Sequence, residues 1–191
     1  MPTALVFLLL VAQSYTRERE HVVSETAQAA RAVAAAVERD LSGAQMAARI
    51  LAASPALQTD DIGALRTLAD SLLQPGLAVS AFIISDARGR QLINTTLPAS
   101  QAPPTLPQKW AASMERTREY GKPRLTSLLM AQDEVPRLAL NLPLPRAQGA
   151  AHVLTALYPP DYLPVLLREL HLPAYLGAVI INADGINVAR T

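Results

Sequence analysis

The longest periodic stretch of the chain runs from about Thr16 to Ser54. Apolar residues recur at Val22/Val23, Ala29/Ala30, Val33, Val37, Leu41, Ala44, Ala48 and Leu51, spaced by three, four and seven. That is one stripe of a helix with 3.6 residues per turn, and Arg, Glu and Asp fill the other faces. Gly43 is the only glycine in the segment, no proline interrupts it, and Pro55 follows it. A single helix over residues 16–54 is predicted, about 60 Å long at 1.5 Å per residue.

Beyond it the pattern changes. Asp60-Asp61 would cap a shorter helix, Ile62–Leu73, stopped by Pro75-Gly76. Val79–Ser85 is a β-branched run, Asp86–Gly89 a tight turn and Arg90–Thr95 a second strand. Gln108–Tyr120 has the composition of a helix ended by Gly121-Lys122-Pro123, and Leu125–Met130 that of a strand. Residues 137–144 alternate: Leu138, Leu140, Leu142 and Leu144 fall on one face, and Arg137, Ala139, Asn141 and Pro143 on the other. The turn Arg146–Gly149 then leads into a partner strand, His152–Tyr158. Pro159-Pro160 fixes the exit from it, and a helix over Asp161–Leu170 precedes Pro173. The fold class is α+β, a long N-terminal helix packed on an antiparallel sheet.

An internal repeat extends this reading. Residues 81–95 (AFIISDARGRQLINT) are echoed by residues 178–191 (AVIINADGINVART). With one residue deleted, Ala81, Ile83, Ile84, Gly89 and Thr95 align with Ala178, Ile180, Ile181, Gly185 and Thr191. Two lobes of one architecture are expected, the second interrupted at residue 191, because one hairpin is not a stable lobe alone.

Ala4–Ala12 is an uninterrupted apolar run of nine residues. A membrane-spanning helix needs about 20, and no basic segment precedes the run as in a signal peptide. The favoured reading is the outer half of a transmembrane helix whose beginning is missing. A signal remnant and a buried helix start are the alternatives. The expected organisation is a partial transmembrane helix at 1–15, a stalk helix at 16–54, a distal lobe at 55–172 and the start of a membrane-proximal lobe at 173–191. The Ala/Val stripe of the stalk, from Val22 to Leu51, would pair with a copy of itself in a parallel homodimer, pack on its own sheet, or do each at a different height.

Composition narrows the function. Lys+Arg is 17 and Asp+Glu 16, a net charge of +1, so the chain carries no electrostatic footprint for nucleic acid. It has no cysteine, which excludes disulfides, thiolate metal sites and thiol catalysis. His21, His152 and His171 are scattered, without metal-ligand spacing. No phosphate-binding glycine loop, nucleophile elbow or paired catalytic acids occur, so the chain is expected not to be an enzyme and to need no metal or cofactor.

The order membrane helix, stalk, lobe, second lobe resembles the double-Cache (PAS-like) extracytoplasmic sensor domains of bacterial sensor histidine kinases and chemoreceptors. The likeness rests on residues 82–95, 121–129, 135–144 and 178–185. It implies a ligand-sensing region in the periplasm, anchored in the inner membrane, with a histidine kinase as the expected output. A chemoreceptor or cyclase, or a binding protein without signalling output, is the alternative. The resemblance also implies a small-molecule ligand on the sheet of the distal lobe. The amino-acid-binding subset of the family carries an Arg followed closely by a Trp-Tyr pair, with an Asp further on. Here Trp110 precedes Arg116 and Arg118, Tyr120 follows, and no Trp-Tyr pair exists, so that specificity does not carry over.

Candidate ligand residues come from the split strand and the aromatics near it. Arg137 and Asn141 share the more polar strand face, where Arg suits a carboxylate and the expected ligand is a carboxylate or amino acid; a solvent-facing strand side is the competing reading. Trp110, Tyr120 and Tyr158 could wall a pocket or serve as core and rim. Ser127 could supply a hydroxyl or simply sit on a strand edge.

Overall fold

The computed structural model describes residues 2–106, 108–130, 136–169, 177, 179–181 and 187–190. Helix α1 (Pro2–Ala53) is continuous through both the apolar run and the expected stalk. Among the described residues no helix is long and apolar enough to cross a membrane.

The inner stripe of α1 is the predicted one. Ala36, Ala44, Ala47, Ala48 and Leu51 are buried, and Val33, Val37 and Leu41 are partly buried beside them. Small side chains let the helix lie close to its neighbours. At Gly43 the approach is closest, since a Cβ there would stand 3.0 Å from Leu77 Cδ1. Pro55 ends α1 as expected but also opens a short helix, α2 (Pro55–Gln58), as its first residue. The Ser54 hydroxyl accepts from the Ala56 N–H at 3.2 Å and caps it. Helix α3 (Ile62–Leu72) is capped by Asp61 alone, whose Oδ1 accepts the Ala64 N–H at 3.0 Å. Asp60 adopts φ 56° and turns its carboxylate elsewhere.

Five strands follow: β1 (Ala81–Ser85), β2 (Gln91–Asn94), β3 (Arg124–Met130), β4 (Pro136–Leu144) and β5 (His152–Leu157). Helix α4 (Gln108–Tyr120) stands between β2 and β3, and α5 (Tyr162–Glu169) follows β5. The sheet is antiparallel throughout, in the order β2-β1-β5-β4-β3, as expected of a PAS-like lobe. β5, last in sequence, is central. It pairs with β1 from Ala81–Leu157 to Ser85–Val153 and with β4 from Ala139–Leu157 to Leu144–His152.

Strand alternation gives the sheet two buried faces. On one, Phe82, Ile84, Ile93, the leucines 138, 140, 142 and 144, Leu154 and Ala156 pack with α1, α3 and α5 as the main core. On the other, Ala81, Ile83, Ala139, Val153 and Leu157 form a smaller cluster with Leu106 and with Trp110 and Met114 of α4.

The repeat is structural as well. β6 (Val179–Ile181) and β7 (Asn187–Arg190) form an antiparallel hairpin. Its register slips by one residue between Ile180 and Ile181, as that of the first hairpin slips between Ile84 and Ser85. Ile180 packs partly against the main core.

Candidate ligand-binding face

The face beneath α4 combines burial with hydrogen-bonding chemistry. The turn of α4 toward the sheet carries Trp110, Ser113, Met114 and Thr117, spaced by three and four. Trp110 is 5% exposed, Met114 4% and Thr117 0%. Helix α4 stops where Gly121, at φ 61°, takes the left-handed conformation that ends helices, with its N–H on the Thr117 carbonyl at 3.0 Å. Arg118 ties the same end of the helix to the β1–β2 turn by donating to the Ala87 carbonyl.

In the sheet below, register places Arg124, Asn141, Thr155, Ile83 and Asn94 in one row across all five strands. At its centre Asn141 is 1% exposed and Thr155 fully buried. The Thr155 hydroxyl donates to Asn141 Oδ1 at 2.7 Å, and Asn141 Nδ2 donates to Ser113 Oγ of α4 at 3.1 Å. An amide side chain can donate twice and accept twice, so among the described residues these bonds leave one N–H and one lone pair for another partner. Ser85, on the same face of β1, has a fully buried hydroxyl with no hydrogen-bond partner among the described residues. At the β3 end of the row the Arg124 guanidinium lies 5.5 Å from the centre of the Tyr120 ring, which is 61% exposed.

Four of the expected ligand residues therefore gather on this side. Asn141 and Trp110 are buried in it, Arg137 shares the Asn141 face by strand alternation and is half-buried, and Tyr120 sits at its rim. The solvent-facing reading of the polar strand side fails for Asn141, because α4 covers it. Ser127 lies on β3, and its side chain is outside the described residues.

Tyr158 belongs elsewhere. It is fully buried in the main core, on the opposite side of the sheet, and its ring lies 4.8 Å from that of Tyr162. The Tyr158 hydroxyl donates to the Asp40 carbonyl at 3.5 Å and the Tyr162 hydroxyl to Asp40 Oδ2 at 2.9 Å, tying β5 and α5 to the long helix. Burial and the Asp40 charge push both phenols well above their ordinary pKa. The three aromatics thus do not form a single wall.

Ser113, Thr155 and Ser85 are the polar residues that sequence reasoning missed. A signal for Thr155 existed: it interrupts the otherwise apolar run Val153–Leu157. Ser113, one turn after Trp110, had none until α4 was seated on the sheet.

No protein-family profile matches the chain, and a search of curated proteins by sequence found no match. Solved structures do resemble it. The ligand-binding domain of the Pseudomonas fluorescens chemoreceptor CtaA, in complex with L-isoleucine, superposes with a TM-score of 0.59 at 18% identity, covering 82% of this chain and 63% of that one. The ligand-binding domain of the Campylobacter jejuni chemoreceptor Tlp3, in complex with L-valine, gives 0.61 at 10% identity, over 83% of this chain and 65% of that one. That of the Pseudomonas aeruginosa amino acid chemoreceptor PctB, in complex with L-Gln, gives 0.53 at 20% identity, over 82% and 63%. This chain spans less than two thirds of each. These matches give the fold: the chain folds like the double-Cache-type ligand-binding domains of bacterial chemoreceptors.

Proposed function

We propose that the chain is the extracytoplasmic sensor region of a bacterial membrane receptor. Its ligand is an amino acid or related small carboxylate, held between α4 and the β3–β4 side of the sheet. The observation that carries this reading is the buried row Ser113–Asn141–Thr155, with unused hydrogen-bonding capacity, under a helix in this fold. The three structures compared are chemoreceptor domains whose bound molecules are amino acids, which favours a chemoreceptor output over the histidine kinase expected from the sequence.

Arg137 takes the ligand carboxylate in this reading, Asn141 its polar head group, and Trp110 and Tyr120 the apolar remainder. Ser127 is a further candidate hydroxyl from β3. A charge-assisted contact of this kind contributes about 1.5–3 kcal/mol, roughly one to two decades in affinity. Binding signals only if it favours one arrangement of α4 over another, since equal affinity for both shifts nothing.

The proposed organisation keeps residues 1–15 as part of a membrane anchor, 16–54 as the stalk, 55–172 as the distal lobe and 173–191 as the opening of the proximal lobe, with the lobes in the periplasm. Much of the stripe between Val33 and Leu51 is engaged with the chain's own sheet. A parallel homodimer would therefore use other positions of α1, such as the exposed Val23, Met46 and Ile50.

The test is a thermal-shift screen of amino acids and small organic acids on the 191-residue chain. A hit should be lost in Arg137→Ala while the unliganded melting temperature stays nearly unchanged. If Arg137→Ala and Asn141→Ala both bind every hit as tightly as the parent, the ligand does not bind on this face.

A further inference from the structure

A recess of about 510 Å³ opens where the β1–β2 turn, the β4–β5 turn and the α2–α3 connection meet. Asp60, Asp86, Arg88, Arg90, Arg146 and His152 contribute to its lining. Three of its four carboxylate oxygens are already engaged. Asp86 Oδ1 accepts the backbone N–H groups of Arg88 at 2.8 Å and Arg90 at 2.9 Å, and Oδ2 accepts from the Arg90 guanidinium at 2.8 Å. Asp60 Oδ2 accepts from Arg146 Nη2 at 2.7 Å.

Its donors are in surplus. His152 is 5% exposed, and among the described residues neither ring nitrogen has a partner at hydrogen-bonding distance. Asp60 Oδ1 stands 3.7 Å from Nε2, close enough to pair with a protonated ring but too long for a good hydrogen bond. Arg146 Nε is likewise buried without a partner, and the exposed Arg88 guanidinium has no hydrogen bond or ion pair among the described residues. Three guanidinium groups face two carboxylates. Buried donors without acceptors are rare in folded proteins, and each calls for an explanation. A cation does not supply one, because both carboxylates are held by arginines and no cluster of three metal-ligating side chains occurs among the described residues.

We propose that this recess is a second ligand site, for a small oxyanion, a carboxylate or a tetrahedral anion, held by Arg146, Arg88 and the His152 imidazole. Guanidinium groups match the geometry and charge of such anions. The site is separate from the one under α4. His152 alternates with Leu154 and Ala156 on the long-helix side of β5, whereas Thr155 lies on the α4 side. A bound anion would reinforce a junction that already exists, since the Ala147 N–H donates to Gln58 Oε1 at 2.7 Å across the same gap.

Binding at this site is coupled to protonation. Burial and then Arg146 hold the His152 pKa below its ordinary 6.5, against the opposing pull of Asp60 on the α2–α3 connection and Asp86 on the β1–β2 turn. Arg88 and Arg90, from the same turn, add positive charge around the recess. An anion beside the ring favours the imidazolium, so it binds more tightly as the pH falls.

The experiment uses sulfate as the tetrahedral probe and acetate as the carboxylate probe on the 191-residue chain, against sodium chloride at matched ionic strength. Calorimetry and thermal shift are read at about pH 8 and about pH 6; sulfate keeps one charge state at both, and the lower value brings the His152 imidazole closer to protonation. At least one probe should stabilise the chain beyond chloride, more strongly at the lower pH, and bind about tenfold or more weakly in Arg146→Gln. Arg88→Gln, on an exposed side chain, should weaken binding without affecting folding and decides the matter if Arg146→Gln does not fold. It should also leave the amino-acid response of the α4 face intact, so the two sites fail separately. Absence of an effect beyond chloride for both probes, or undiminished binding in Arg88→Gln, overturns the proposal.

Discussion

The two faces of the central sheet are equally hidden from water and chemically unlike. The side against α1 is apolar along β1, β4 and most of β5, and the alanine stripe of the long helix closes it. The side beneath α4 mixes Ala81, Ile83, Val153 and Leu157 with Ser85, Asn141 and Thr155 on the strands and Thr117 on the helix. Apolar surface needs only a neighbour to be stable when buried, whereas a polar group needs a partner of defined geometry. A sheet selected only to fold would resemble the first face. The second accepts the cost of buried polar groups, which suits the ligand site proposed there, since donors and acceptors would be in place before a ligand arrives.

The sharpest way to break this contrast is to open the apolar face. Leu154→Ala should destabilise the chain by about 2–5 kcal/mol, through lost burial and the cavity left behind. The measurement is the midpoint of urea unfolding, and a loss below about 1 kcal/mol would mean that the α1 side is not a closed core. On the polar face the expected effect is smaller and of another kind. Asn141→Ala strands the Thr155 hydroxyl and a partner of Ser113, at about 1–3 kcal/mol. Adding Thr155→Val should then cost less than its effect alone, because the stranded hydroxyl is removed with it. Additive effects in that double-mutant cycle would show that the row is not coupled.

Acid should distinguish the faces again. The His152 pKa in the folded chain lies below its ordinary 6.5, so between those two values the unfolded chain binds more protons. Stability is then full above about pH 6.5 and declines as the pH falls toward the folded-state value. In His152→Gln that part of the decline should vanish in a series of melting curves, while Asn141→Ala should keep it. The smallest effect belongs to the rim: Arg124→Gln removes an exposed contact with Tyr120 and should change stability by about 0.5 kcal/mol. A much larger loss would place Arg124 within the buried row.

Most of the elements were legible because each is governed by local periodicity. The stripe from Val22 to Leu51 specifies a helix and the face it buries, and the leucines at 138, 140, 142 and 144 specify the core side of β4. The repeat marked by Ile83-Ile84 and Ile180-Ile181 pointed to two similar hairpins, and both are present, each with its one-residue slip. The site was legible only in part. Arg137 and Asn141 could be assigned to one strand face, but nothing in the alternation says whether that face meets solvent or a helix. Asp60 was expected to help cap α3, as its neighbour Asp61 does; instead it pairs with Arg146, 86 residues away.

The sequence by itself therefore determined every helix but the short α2, the strands and the division of each strand into two sides, since periods of 3.6 and 2 act within a few residues. Tertiary structure decided what covers each side. Placing β5 between β1 and β4 aligns Thr155 with Asn141, and seating α4 on that row brings Ser113 to its amide. Alternation along β5 turns Tyr158 to the opposite side, and the seating of α1 there brings it to Asp40. Such meetings depend on pairings between segments distant in the chain, and those are selected by the summed burial of the whole sheet rather than by any pattern local enough to read along it.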